Sequence, residues 1–176
     1  MGPERSERLL NLIIDRLVWL EHDGYAPVGR DPQGMRIRLD YSSGRGRVAV
    51  SVDGGRGDID IWLAPPKQNN PGAPIDFLRG PRVMMDSMLT THGLRCPPDH
   101  WSRSADAEAV VGHYVGALQQ LRDRELAGDW SLFRVAVEVA RSGRDAAFKY
   151  WISRAVIDDP ALAERLERLR PIGPSR

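Results

Sequence analysis

Three side chains able to ligate zinc stand four apart in one short segment: His92, Cys96 and His100, with Asp99 beside the last. A thiolate with two imidazoles is a donor set that zinc accepts in tetrahedral geometry. The same segment holds Pro97 and Pro98, so it cannot be one helix presenting all three ligands on a face. No fourth ligand stands at a matching spacing. The segment is therefore read as a loop carrying one thiol, and no metal or cofactor is expected.

A second cluster is acidic. Asp53, Asp58 and Asp60 fall close together, and carboxylates at strand ends can share a catalytic cation in metal-dependent nucleases. Alternation places Asp58 and Asp60 on the outward face of a strand, beside a sheet that also shows Arg36, Arg38 and Arg47. Cross-strand ion pairs account for that mixture without catalysis. A metal-dependent hydrolase or nuclease remains an alternative reading, carried by these aspartates or by the 92–100 segment.

Other catalytic patterns fail on context. Gly44-Arg45-Gly46-Arg47-Val48-Ala49 spells a phosphate-binding fingerprint, but that chemistry needs a helix N-terminus next, and a strand pattern follows instead. The run reads as a hairpin turn. No lysine completes a Walker loop, and no nucleophile elbow of the form G-x-S-x-G occurs. His113 lies within a helical stripe without a nameable orienting partner, and His22 sits near a helix end where a cation complements the dipole. No catalytic residue is assigned.

Of the 25 basic residues only Lys67 and Lys149 are lysines. Arg36, Arg38, Arg45, Arg47 and Arg56 gather on the same strands and turns as Trp62. Arginine beside an outward tryptophan can grip single-stranded nucleic acid, which makes a nucleic-acid-binding adaptor a second alternative. The interleaved Asp40, Asp53, Asp58 and Asp60 would repel phosphate at that surface. Both charge signs around a tryptophan suit a protein partner better. The residues assigned to binding are Trp62, Arg36, Arg38, Asp58 and Asp60, with the proline-rich 65–74 loop as a second candidate surface. Alternation alone leaves open whether Trp62 faces solvent or is covered by the first helix or the 75–94 segment.

The elements that position these residues follow from periodicity. Leu9, Leu10, Ile13, Ile14, Leu17 and Leu20 recur at helical spacing, predicting a helix over 4–22 ended by a left-handed Gly24. A short extended piece, Tyr25 to Val28, can follow. Met35, Ile37, Leu39 and Tyr41 alternate with polar residues, as do Val48, Val50 and Val52, and then Ile59, Ile61 and Leu63. Turns at 42–46 and 53–57 join them into a three-stranded antiparallel meander. Residues 65–74, rich in Pro, Gly and Asn, form a loop, and 82–91 reads as a helix. A helix opening at Ser104 carries Val111, Tyr114, Val115, Leu118 and Leu121 and closes at Gly128. Asp129 caps another with Phe133, Ala136, Val137 and Ala140, and two more follow, around Trp151 and after Asp159-Pro160. The fold class is α+β: an N-terminal helix, a three-stranded sheet and a helical C-terminal half in a single domain, 1–176.

Composition agrees with that class. A chain of 176 residues, 41% hydrophobic, can bury a core without metal or disulfide support. A net charge of +1 provides no global field for nucleic acid or membranes. One cysteine excludes an internal disulfide and fits a reducing cytoplasm. The apolar stretch Leu9 to Leu20 is broken by Asn11, Asp15 and Arg16, so neither a signal peptide nor a membrane span is expected. Arginine over lysine, with abundant Ala, Gly and Pro, points to a GC-rich bacterial genome.

The run from Tyr114-Val115-Gly116-Ala117-Leu118 through Glu125-Leu126-Ala127-Gly128-Asp129-Trp130-Ser131-Leu132-Phe133 resembles a pattern in several small bacterial families, where one helix ends in Leu-x-Gly-Asp and the next opens on an aromatic residue. With the leading helix and the Asp58-Ile59-Asp60-Ile61 strand, the chain looks like the immunity-type proteins encoded beside polymorphic toxins. That resemblance implies a non-enzymatic cytoplasmic protein that binds and blocks a cognate toxin. It assigns no role to any single residue.

Overall fold

The computed structural model describes residues 3–33, 36–53, 58–78, 80–94 and 107–140. Helix α1 (Pro3–His22) opens the fold, and five strands follow: β1 (Ala26–Gln33), β2 (Arg36–Ser43), β3 (Gly46–Asp53), β4 (Asp58–Ala64) and β5 (Val83–Met84). Helices α2 (Met85–Thr91) and α3 (Ala107–Gln119), a 3-10 turn (Glu125–Ala127) and a helix over 133–140, here α4, complete it. The strands pair in sequence order, antiparallel throughout.

The expected α+β class holds, but the expectation of three strands is wrong: the sheet has five. Strand β1 reads APVGRDPQ, with prolines at 27 and 32 that argue against a strand. It is an edge strand, where a missing N–H facing outward costs no ladder bond, and its register shifts between Pro27 and Gly29. Strand β5 is two residues long, pairing Leu63 with Val83 and Trp62 with Met84, inside a stretch expected to be helical from 82. The long helix expected to run to Gly128 stops at Gln119, where the backbone tightens to i→i+3 bonds. Gly128 does act as a left-handed terminator, at φ 105°, but of the 3-10 turn. The Ser104 cap, the 54–57 turn and the helices expected after 141 lie outside the described residues.

Alternation sorts the central strands into two faces. On the inner face Ile37, Val52 and Ile59 form one row, Leu39, Val50 and Ile61 the next, and Tyr41, Val48, Leu63 and Val83 a third. All are buried against α1 (Leu10, Ile13, Leu17), α2 (Met88, Leu89) and α3 (Val111, Leu118) in one apolar cluster. Burying such side chains, at about 1.5–3 kcal/mol each, is what holds the layers together. Helices α1, α2 and α3 therefore pack on one side of the sheet. The residues assigned to binding occupy the other.

A candidate interface on the outer face of the sheet

Outer-face positions line up in rows across the strands. Arg36 faces Asp53, which faces Asp58; Arg38 faces Ser51, which faces Asp60; Asp40 faces Ala49, which faces Trp62. The sheet thus brings all five residues assigned to binding onto one surface. Arg36 Nη2 lies 3.6 Å from Asp53 and 3.8 Å from Asp60, bridging two strands with nearly half its side chain in solvent. Arg38 Nε donates to Asp40 at 2.8 Å and Nη2 lies 3.9 Å from Asp31. Cross-strand ion pairing is the expectation for this face, and Arg36 makes it to Asp53 and Asp60.

Two of the carboxyls are perturbed. Burial pushes Asp60 above the ordinary value, Arg36 opposing and the neighbouring Asp58 and Asp53 adding to the rise. Burial likewise raises Asp40, opposed by Arg38. Asp40 is almost wholly covered, and accepts from the Ile75 amide at 3.4 Å as well as from Arg38.

What covers part of this face is not α1 but the 65–74 loop together with the start of the 75–94 segment, where Ile75 and Phe77 pack on it. The 65–78 loop crosses it. Arg47, buried, donates through Nε to the Pro65 carbonyl at 3.0 Å and through Nη1 to the Pro74 carbonyl at 3.3 Å. Ser42 Oγ donates to the Pro71 carbonyl. These bonds let Ile75 seat on Ala49 and Ala64 in a second, smaller apolar cluster. The proline-rich segment is therefore partly structural: its backbone carbonyls satisfy Arg47, and its end plugs the sheet.

Trp62 stands at the boundary between covered and open halves. Its ring meets Phe77 edge-on at 5.6 Å between centroids. The Arg82 guanidinium lies 5.3 Å from the Trp62 centroid and 4.9 Å from that of Phe77, and Arg38 lies 4.6 Å from Phe77. The result is a chain of two cations and two rings, Arg38–Phe77–Arg82–Trp62, on the outer face. Trp62 is half-buried rather than standing free in solvent. Directly after Phe77, Leu78 is 92% exposed, with its amide held by Asp76 Oδ1 at 2.9 Å. Periodicity fits Phe77 and Leu78 to a helix interrupted near Gly80-Pro81, whereas they lie in a turn, and it gives Arg82 no part in binding. Their signal was an apolar pair just after a proline-rich loop, which reads equally well as core.

The metal-like segment resolves differently. His92 is buried at the end of α2, with Nε2 2.7 Å from Glu125 Oε1 and Nδ1 in contact with Arg124 Nη1. A guanidinium only donates, so Nδ1 accepts from Arg124 and Nε2–H donates to Glu125 Oε1. Both ring nitrogens are occupied by protein. Cys96, Asp99 and His100 lie outside the described residues, and among the described residues no group of three His, Cys, Asp or Glu could hold a metal ion. His22 and His113 are exposed on their helices.

The G-x-G-x-x-A run forms the β2–β3 turn, as its alternating continuation predicts. Gly46 is required there by proximity: a Cβ would sit 2.6 Å from Trp130 Cζ2 and 3.1 Å from the Tyr25 hydroxyl. Trp130 Nε1 donates to the Arg45 carbonyl at 2.6 Å, and the buried Tyr25 hydroxyl donates to the Leu126 carbonyl at 3.1 Å. The Leu126–Trp130 stretch thus clasps a hairpin.

Comparison with protein-family models, with curated proteins and with solved structures found no match for this chain. Among the described residues no helix is long and apolar enough to cross a membrane.

Proposed function

We propose that the chain is a non-enzymatic protein-binding protein whose interface is the open half of the outer sheet face together with the Leu78 corner. The observation that carries this reading is the 92% exposure of Leu78 beside the Arg38–Phe77–Arg82–Trp62 stack. Isolated exposed leucines are ordinary, but one adjoining a stack of rings and guanidinium groups has the composition of an interface centre. Around it Arg36, Asp58 and Asp60 supply charges of both signs, which fix register with a complementary partner.

The mixed charge disfavours nucleic acid, since the aspartates stand in the same rows as the arginines. A hydrolase centred on Asp53, Asp58 and Asp60 is disfavoured by the bridge that Arg36 makes to two of them. The site of action proposed is the cytoplasm, where the single Cys96 stays reduced. Within the protein-binding class, the resemblance to immunity-type proteins supplies one candidate partner, a cognate bacterial toxin.

The test is affinity capture from host lysate with two baits, the wild type and a variant carrying Arg36→Glu and Leu78→Asp. Because Arg36 bridges two aspartates, a circular-dichroism spectrum matching the wild type's is required of the variant before it is used as bait. One stoichiometric protein held by the wild type and lost by the variant is the expected result. Equal retention by both baits would place the interface elsewhere.

A further inference from the structure

Strand β1 is the accessible end of the sheet: among the described residues no strand lies beyond it, and Ala26, Pro27, Arg30 and Pro32 are exposed. The direction of its backbone groups follows from the β2–β3 hairpin. A two-residue turn closes on a hydrogen-bonded pair, here Ser43 with Gly46. Alternation then points the backbone groups of Tyr41, Leu39 and Ile37 to β3, and those of Ser42, Asp40, Arg38 and Arg36 to β1. Their partners Ala26, Gly29, Asp31 and Gln33 face back. Pro27, Arg30 and Pro32, opposite Tyr41, Leu39 and Ile37, turn their backbone groups outward. Since proline has no N–H, Arg30 is the only donor of these three positions at the open edge.

Arg30 obstructs the edge in a second way. Opposite the inner-face Leu39, its side chain lies on the helical side of the sheet, where Nη2 is 3.6 Å from Glu7 of α1. A strand added outside β1 that continued the apolar rows would set its side chains against this charged pair. The register shift between Pro27 and Gly29 also bends the strand. Proline, inward charge and bulge are each a means of stopping a sheet from extending. The opposite end of the sheet is closed by cover instead. The same alternation turns the backbone of Ile59, Ile61 and Leu63 toward β5; Leu63 pairs with Val83, while Ile59 and Ile61 are each only 3% exposed.

Independently of the protein-binding reading, we infer that β1 is a guarded edge: Pro27, Pro32 and the inward Arg30 keep a second copy of this chain from adding its own β1 to the sheet. Contact with other chains falls to side chains of the sheet face rather than to backbone pairing.

The test is amide hydrogen exchange on the full-length protein, with mean mass from sedimentation equilibrium, over a range of protein concentrations. In the wild type the Arg30 amide should exchange fast at every concentration, while that of Asp31, which faces β2, exchanges slowly. In the double variant Pro27→Val, Pro32→Val each valine restores an outward N–H. Its mean mass should then rise with concentration above the wild type's, and the Arg30 amide should slow in step. Pro32→Val alone, at an exposed position, should show the same trend more weakly, and it carries the test if the double variant does not fold. An Arg30 amide that slows with concentration in the wild type means that the edge already pairs, which overturns the inference. Variants that match the wild type in both measurements overturn it too. So do variants that associate while the Arg30 amide stays fast, since their contact then lies elsewhere.

Discussion

Asp60 couples the outer face to pH. Because burial raises its carboxyl, the folded chain holds that proton to higher pH than the unfolded chain, whose value lies near the ordinary 3.8. The folded state then binds more protons in the window between the two values, and stability falls as pH rises through it. Asp60→Asn removes this loss. Urea unfolding midpoints measured from acid to neutral pH should therefore fall more for the wild type than for Asp60→Asn; parallel profiles would contradict the assignment. The buried pair behaves differently. Glu125→Ala leaves the His92 Nε2–H without an acceptor and should cost about 1–3 kcal/mol in chemical denaturation. Glu125→Gln keeps an acceptor oxygen and should cost less. If the two variants are equally stable, the hydrogen bond does not hold α2 to the 3-10 turn.

The helices and central strands show which elements a sequence declares. Leu9 through Leu20 and the three alternating strands carry unbroken periodicity because each buries one face in the same core. The edge strand β1 carries two prolines and little apolar alternation, since its outer neighbours are solvent and its register bends at a bulge. Strand β5 is too short to have a period. The helix predicted to run to Gly128 ends early: Leu121 continues the apolar stripe, but the backbone from Gln119 onward turns in i→i+3 steps that bring Glu125 onto His92 and Trp130 onto the β2–β3 hairpin. That clasp yields a prediction at this scale. Gly46→Ala pushes a methyl into the Trp130 ring, and the displaced indole gives up its bond to the Arg45 carbonyl. A loss of about 1–3 kcal/mol in unfolding free energy is expected, as for other overpacked contacts. Wild-type stability in Gly46→Ala would mean that the clasp contributes nothing.

For the molecule as a whole, one side of the sheet is committed to the core and the other is divided between a loop that plugs it and a charged region that stays open. Strand phase alone put Trp62, Arg36, Arg38, Asp58 and Asp60 on that second side. It could not show that the loop reaches over Asp40 and Arg47, since those bonds run from side chains to backbone carbonyls and an amide of residues distant in sequence. Nor could it show that Phe77 and Arg82 complete the stack around Trp62, or that Leu78 is left in solvent. These features arise from where the loop lands. They make the Leu78 corner the centre of the proposed interface, and α1, with Val18 exposed on the helical side of the sheet, its counterpart outside that interface. The most direct measurement is the affinity of the purified, captured partner for wild type, Leu78→Asp and Val18→Asp by titration calorimetry. The account predicts that Leu78→Asp weakens binding at least about tenfold, about 1.4 kcal/mol, while Val18→Asp leaves it unchanged. Full affinity in Leu78→Asp, with binding lost in Val18→Asp, would contradict it and move the interface to the helices.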